Sequence, residues 1–217
     1  MRAKVIAEAL GTGLLVCAVV GSGIMAQHLF PASEGLALLA NTLATVGALL
    51  ALILALGPVS GAHFNPVVSL DAARRGALSL REAMAYLPAQ LLGAAAGAML
   101  ANAMFQRPVP ELSTHLRTGG HLWLAEAVAT FALLLVIRGC VRAKSPFTPF
   151  AVAGVILGAY WFTSSTSFAN PAVTLGRMFS DSFAGIAPRS APGFLLAQLL
   201  GGAAAGWVSD LLEGAVA

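Results

Sequence analysis

The chain has 217 residues, 58% of them hydrophobic and 10% charged, with a mean hydropathy of +0.84. Soluble domains carry about a quarter charged residues, so this balance places the chain in a bilayer. The net charge of +3 and a pI near 9.3 do not signal a nucleic-acid partner, because the basic residues are sorted by side of the membrane.

Six apolar stretches, approximately 4–26, 35–57, 82–105, 121–140, 147–163 and 191–212, predict six spans, since about 20 residues cross the hydrocarbon core as a helix. Continuous runs rich in Leu, Ala and Gly lack the alternation of a membrane barrel. The first span is too long for a signal peptide and lacks a processing-site pattern, so it is expected to stay in the mature protein. It carries Glu8, and the fourth span carries Glu126; carboxylates at membrane depth are costly and mark function or structure. Cys17 and Cys140 suggest neither a disulfide nor a metal site.

After the second span comes Ser60-Gly-Ala-His-Phe64 and then Asn65-Pro66-Val67; after the fifth comes Ser164-Ser-Thr-Ser-Phe-Ala169 and then Asn170-Pro171-Ala172. Each Asn-Pro is a strong helix start, with Asn as N-cap and Pro at the first helical position. Short helices over about 66–75 and 171–180 follow, each spanning roughly 15 Å, half the hydrocarbon core. Their N-termini carry about half a positive charge and free N–H groups. The Asn carbonyl caps while its amide NH₂ stays free to donate. The non-helical approaches are tolerable at that depth only where they line water or are buried in protein, which argues for a pore.

Glu8-Ala-Leu-Gly-Thr12 is echoed by Glu126-Ala-Val-Ala-Thr130, and Gln90-Leu-Leu-Gly93 by Gln198-Leu-Leu-Gly201. Residues 1–113 and 114–217 therefore read as two copies of three spans plus one hairpin, forming one domain over 1–217. An odd span count inverts the second copy. In this arrangement Arg2, Lys4, Arg74, Arg75, Arg81, Arg138, Arg142 and Lys144 share one side, and Arg107, Arg117, Arg177 and Arg189 the other. Eight against four puts both termini in the cytoplasm.

The paired motifs in an inverted six-span duplication resemble the aquaporin and aquaglyceroporin (major intrinsic protein) family over essentially the full length. The resemblance implies an all-α membrane fold of six spans plus two half-helices in a right-handed bundle. It also implies a homotetramer embedded in lipid, with one pore per protomer and no cofactor. Asn65 and Asn170 would donate to a passing solute, with Pro66, Val67, Pro171 and Ala172 completing the midpoint. Carbonyls around Gly61, Ala62 and His63, and around Ser165, Thr166 and Ser167, would accept from it. Glu8 and Glu126 would brace the hairpin backbones, and His63 would be a structural group rather than a proton relay.

Counting without gaps from the motif asparagines, the family's outer filter falls on Thr45, Gly158, Ser167 and Val173. Val173 stands where these channels usually carry Arg, so the filter is expected to be wide and less cationic. Arg177, one turn on, either supplies a charge at the mouth or pairs at i+4 with Asp181 on the outer surface, the pairing being the expectation. Val67 in place of Ala puts a larger side chain beside the Asn gate. The run from Asn170 to Ile186 looks like a bacterial subgroup associated with arsenic resistance, which implies arsenous acid, and possible methylated forms of it, as solutes beside water and glycerol.

The expected function is passive diffusion of water and small neutral solutes across a bacterial inner membrane. A secondary active transporter is the alternative, although only Glu8 and Glu126 lie near midspan. No Gly-x-Ser-x-Gly, His-Glu-x-x-His or paired catalytic Asp occurs, so an enzyme is not expected.

Overall fold

A computed structural model describes residues 1–214. Eight α-helices follow in order: α1 (Arg2–Leu29), α2 (Glu34–Ser60), α3 (Pro66–Arg74), α4 (Leu80–Met104), α5 (Gly120–Arg142), α6 (Thr148–Phe162), α7 (Pro171–Arg177) and α8 (Ala191–Gly214). Among the described residues there is no strand. Among the described residues, five helices are long and apolar enough to cross a membrane. The sixth apolar one, α6, has 15 residues, about 22 Å at 1.5 Å per residue.

Helix starts follow the capping residues. Asn65 Oδ1 accepts from Val67 N at 3.0 Å, and Asn170 Oδ1 accepts from Ala172 N at 2.9 Å and Val173 N at 3.3 Å. Ser79 and Glu82 form a reciprocal capping box at the head of α4. Two ends that bear on the hairpins differ from the sequence expectation by three residues. Helix α2 continues through Pro58 to Ser60 and is closed by Gly61 at φ 88°, so Ser60 is helical rather than part of the hairpin approach. Helix α7 stops at Arg177, three residues before 180.

Helix α1 packs along α4 and α5 along α8. Both pairs approach closely because glycine removes the side chain at the crossing: a Cβ on Gly97 would overlap the Gly13 carbonyl oxygen, and one on Gly201 the Ala127 carbonyl oxygen. Van der Waals contact between close backbones is the main source of helix association in lipid. Between these pairs the short helices α3 and α7 meet N-terminus to N-terminus. Asn65 Nδ2 donates to Ala169 O and Asn170 Nδ2 to Phe64 O, each at 2.8 Å.

At the far end of α3, Arg138 is buried and reaches Asp210 Oδ1 at 2.7 Å and Asp71 Oδ2 at 3.5 Å, while Nη1 donates to Gly206 O. Arg74 also pairs with Asp210, at 2.9 Å, and Arg75 with Asp71, at 3.1 Å. This network ties α3, α5 and α8 together.

Candidate functional site: a cavity lined by two hairpins

The approach to each short helix is strained in the same way. Ala62 (φ 51°) and Phe64 (φ 47°) stand three residues and one residue before Asn65; Ser167 (φ 50°) and Ala169 (φ 48°) stand likewise before Asn170. A left-handed φ at a non-glycine residue costs about 1–3 kcal/mol and persists only where its surroundings hold it. The two intramembrane carboxylates do the holding. Glu8, fully buried, accepts from Ser60 Oγ at 2.7 Å, His63 N at 2.9 Å, Phe64 N at 2.7 Å and Gln90 Nε2 at 2.8 Å. Glu126, equally buried, accepts from Phe168 N and Ala169 N, both at 2.9 Å, and from Gln198 Nε2 at 2.6 Å.

Each glutamine reaches on to the first turn of the short helix beside it. Gln90 Nε2 donates to Ser69 Oγ and Gln198 Nε2 to Thr174 Oγ1, both at 2.9 Å. Ser69 and Thr174 each lie four residues after a motif Asn. Gln90 and Gln198 appear in the sequence as repeat markers with no role; their signal is a polar amide inside an apolar span. His63 Nδ1 lies 3.0 Å from Ser69 Oγ, and its ring packs edge-on to Tyr86 at 5.7 Å.

A cavity of about 310 Å³ runs past both asparagines. Of the six motif residues only Asn65 and Asn170 line it; Pro66, Val67, Pro171 and Ala172 are buried behind them. Val67 therefore does not crowd the gate. It packs with Leu134 and Ala205 over Gly202, where any Cβ would strike Val67 Cγ1. Each Asn amide donates one N–H to the opposite hairpin, and its NH₂ has a second.

The cavity is also lined by Thr45, Ser167, Val173 and Tyr160. Gly158 does not line it, which corrects the gap-free count. Thr148, Val152, Ile156 and Tyr160 line the cavity, a strict i, i+4 stripe along α6. Two residues turn a helix by about 200°, so Gly158 faces away. Tyr160 Oη donates to Thr45 Oγ1 at 3.3 Å, and the buried Ser167 Oγ has no partner. The second rail also shifts. Gly61, Ala62, His63 and Phe64 line the cavity on one side, and Ser167, Phe168 and Ala169 on the other. Ser165 is buried, its Oγ accepting from Ser167 N at 3.2 Å, and Thr166 lines a separate outer cavity.

Arg177 does not pair with Asp181. An i+4 pair requires the helix to continue, and α7 ends at Arg177 itself. Its Nε donates to Ala184 O, and its guanidinium carbon lies 3.4 Å from the centroid of the Phe168 ring. Asp181 instead accepts from Thr114 N at 2.8 Å, which helps dock the 106–119 loop. That loop also carries Arg117 inward, with Nε donating to Gly185 O at 2.8 Å and Nη2 to Phe183 O at 3.0 Å. Nothing in the sequence around Arg117 singles it out.

The major intrinsic protein family model matches residues 1–164. The chain belongs to this family. It is 53% identical over 198 residues to the aquaglyceroporin AqpS of Rhizobium meliloti (strain 1021), covering 91% of this chain and 84% of that protein. It is 30% identical to aquaporin Z of Rhodopseudomonas palustris, covering 80% and 78%. The X-ray structure of the aquaglyceroporin from Plasmodium falciparum superposes with a TM-score of 0.72 at 23% identity, covering 97% of this chain and 99% of that one, which shows the fold. As a major intrinsic protein the chain is a multi-pass membrane channel, passive for water and small solutes, and not an enzyme. This sets aside the coupled transporter.

Proposed function

We propose that this major intrinsic protein is an aquaglyceroporin-type channel with a wide outer filter made by Thr45, Tyr160, Ser167 and Val173. Its solutes are water, glycerol and small neutral polyhydroxyl acids such as arsenous acid and its methylated forms. The observation that carries the reading is Val173 at the cavity wall in company with the hydroxyl-bearing Thr45, Tyr160 and Ser167, at the position where the family usually carries an arginine. Without the five fixed donors and the charge of a guanidinium, the opening is larger and suits neutral solutes. Hydroxyls both donate and accept, which matches a trihydroxyl solute.

In this reading Asn65 and Asn170 donate at the midpoint, and the hairpin carbonyls from Gly61 to Phe64 and from Ser167 to Ala169 accept. Glu8 and Glu126 hold those backbones. The matching carboxylate–glutamine networks support residues 1–113 and 114–217 as inverted copies. With eight basic residues on one side against four on the other, the termini face the cytoplasm of a bacterial inner membrane. The apolar, little-buried α2 supports a homotetramer in which each protomer keeps its pore. Proton exclusion then rests chiefly on the two opposed helix ends at the midpoint.

The test is stopped-flow light scattering of proteoliposomes with glycerol and arsenous acid, comparing the native chain with Val173→Arg. Fast, non-saturating entry of both solutes that Val173→Arg sharply reduces, with water flux less affected, is the expected result. Water flux alone, unchanged by the substitution, would overturn the filter assignment.

A further inference from the structure

Beyond the pore, a second cavity of about 530 Å³ lies on the outer side, lined among others by Glu34, His115, Arg117, Thr166, Arg177 and Phe183. It shares no lining residue with the pore cavity, but Thr166 and Ser167 are consecutive, so the two spaces are neighbours. Two guanidiniums converge on it. Arg177 is 2% exposed, and Arg117 and Arg177 approach the same Phe168 ring at 5.4 and 3.4 Å.

Neither arginine forms an ion pair among the described residues. Their guanidinium hydrogen bonds go only to the backbone carbonyls of Phe183, Ala184 and Gly185. Arg177 Nη1 is buried with no partner at all. Elsewhere the chain treats a buried arginine differently: Arg138 meets two aspartates. A buried and a half-buried cation with no carboxylate within ion-pair distance repel each other, and stacking on one phenyl ring offsets only part of that cost. Arginine is never neutral in proteins, so relief by deprotonation is closed. What the arrangement lacks is an acceptor oxygen in direct contact with the free Arg177 Nη1; Glu34 and Glu126 are close without pairing with either guanidinium. A guanidinium fork fits a planar carboxylate or a phosphate better than it fits a sphere.

We propose that this outer cavity binds a small oxyanion, a carboxylate or inorganic phosphate, held between Arg117 and Arg177 and receiving a hydrogen bond from Arg177 Nη1. Glu34 at the wall limits the charge the site accepts and favours a monoanion. The site does not depend on which solute the pore carries.

The experiment is isothermal titration calorimetry on the full chain in lipid nanodiscs, with acetate and with inorganic phosphate as probes, against chloride at equal ionic strength. Saturable binding of both oxyanions is expected, weakened about tenfold or more by Arg177→Gln or Arg117→Gln, as follows from losing one charge-assisted hydrogen bond. Glu34→Gln, which removes a like charge and touches no core contact, should tighten binding about twofold. Arg117 lies on a loop and Glu34 at a helix start, so these variants report even where Arg177→Gln fails to fold. Absence of saturable binding, equal affinity for chloride, or unchanged affinity in both Arg117→Gln and Glu34→Gln would overturn the proposal.

Discussion

Replacing Glu8 by Ala removes the acceptor of four donors at once, three of them buried and one half-buried: Ser60 Oγ, Phe64 N and Gln90 Nε2, and His63 N. Each donor left unpaired away from water costs about 1–3 kcal/mol. The Phe64 amide also loses the contact that holds a left-handed φ of 47°, itself worth about 1–3 kcal/mol. Relaxation and water entry recover part of the sum, so the expected loss is roughly 3–5 kcal/mol, the usual result of stripping one partner from a buried charged network. Glu126→Ala orphans three donors rather than four, and should cost about 1 kcal/mol less. Glu8→Gln keeps one acceptor oxygen but turns an NH₂ toward backbone N–H groups, which puts it between the two. Equilibrium unfolding in mixed detergent micelles measures all three. A cycle with Gln90→Ala should return a coupling of about 1–3 kcal/mol, and glycerol flux should fall with the stability of the hairpin. Glu8→Ala within about 1 kcal/mol of the native chain, or altered selectivity with unaltered stability, would refute the bracing role and make Glu8 a solute contact instead.

Asn65→Asp with Asn170→Asp keeps both caps but replaces two solute donors by negative charges against the opposed helix ends; a raised proton or cation leak in a pH-gradient dye assay is expected, and unchanged leak in a folded double variant contradicts the dipole account. Tyr160→Ala should speed entry of polyols larger than glycerol, whereas Gly158→Ala, whose new methyl would meet only Phe162 at 3.7 Å, should leave osmotic shrinkage curves unchanged; the reverse pattern would restore Gly158 to the filter. The Thr114 backbone N–H, followed by the Thr114 hydroxyl and then the charges of His115 and Arg107, holds the Asp181 carboxyl below its ordinary value of 3.8. A depressed acid stabilises the fold above its ordinary value and loses that contribution as pH falls through the depressed one. Pepsin cleavage within 106–119 should therefore rise on going below about pH 3.8, and Asp181→Asn should raise the loop's protease sensitivity at neutral pH.

What can be read in the sequence is local. An Asn followed by Pro sets a helix start by its own hydrogen bonds, and a glutamate inside an apolar span announces itself by cost. The positions that differ in the structure depend on where a helix stops. Counting back from Asn170 to Gly158 passes through seven non-helical residues, and such a count fixes distance along the chain but not the phase of the helix it enters. Helical spacing pairs Arg177 with Asp181, yet α7 gives way once the 106–119 loop satisfies the Met178 carbonyl through Ser113 N, at 2.9 Å. That contact joins residues far apart in sequence and leaves no local trace.

The same distinction explains why the two halves match at the midpoint and diverge beyond the hairpins. Glu8 with Gln90 and Ser69, and Glu126 with Gln198 and Thr174, act alike, since each set holds two consecutive backbone N–H groups of a strained hairpin. Ser or Thr serves equally as the last partner because only a hydroxyl oxygen is required. The donor count differs because α2 runs on to Ser60 and adds its hydroxyl to Glu8, whereas α6 ends at Phe162 and leaves Glu126 with three donors. Beyond the hairpins no such shared constraint acts. There the 106–119 loop, which has no counterpart in the first half, delivers Arg117 and His115 to the mouth. The polar outer end is thus set by one long connection, while the midpoint is set by a duplicated one.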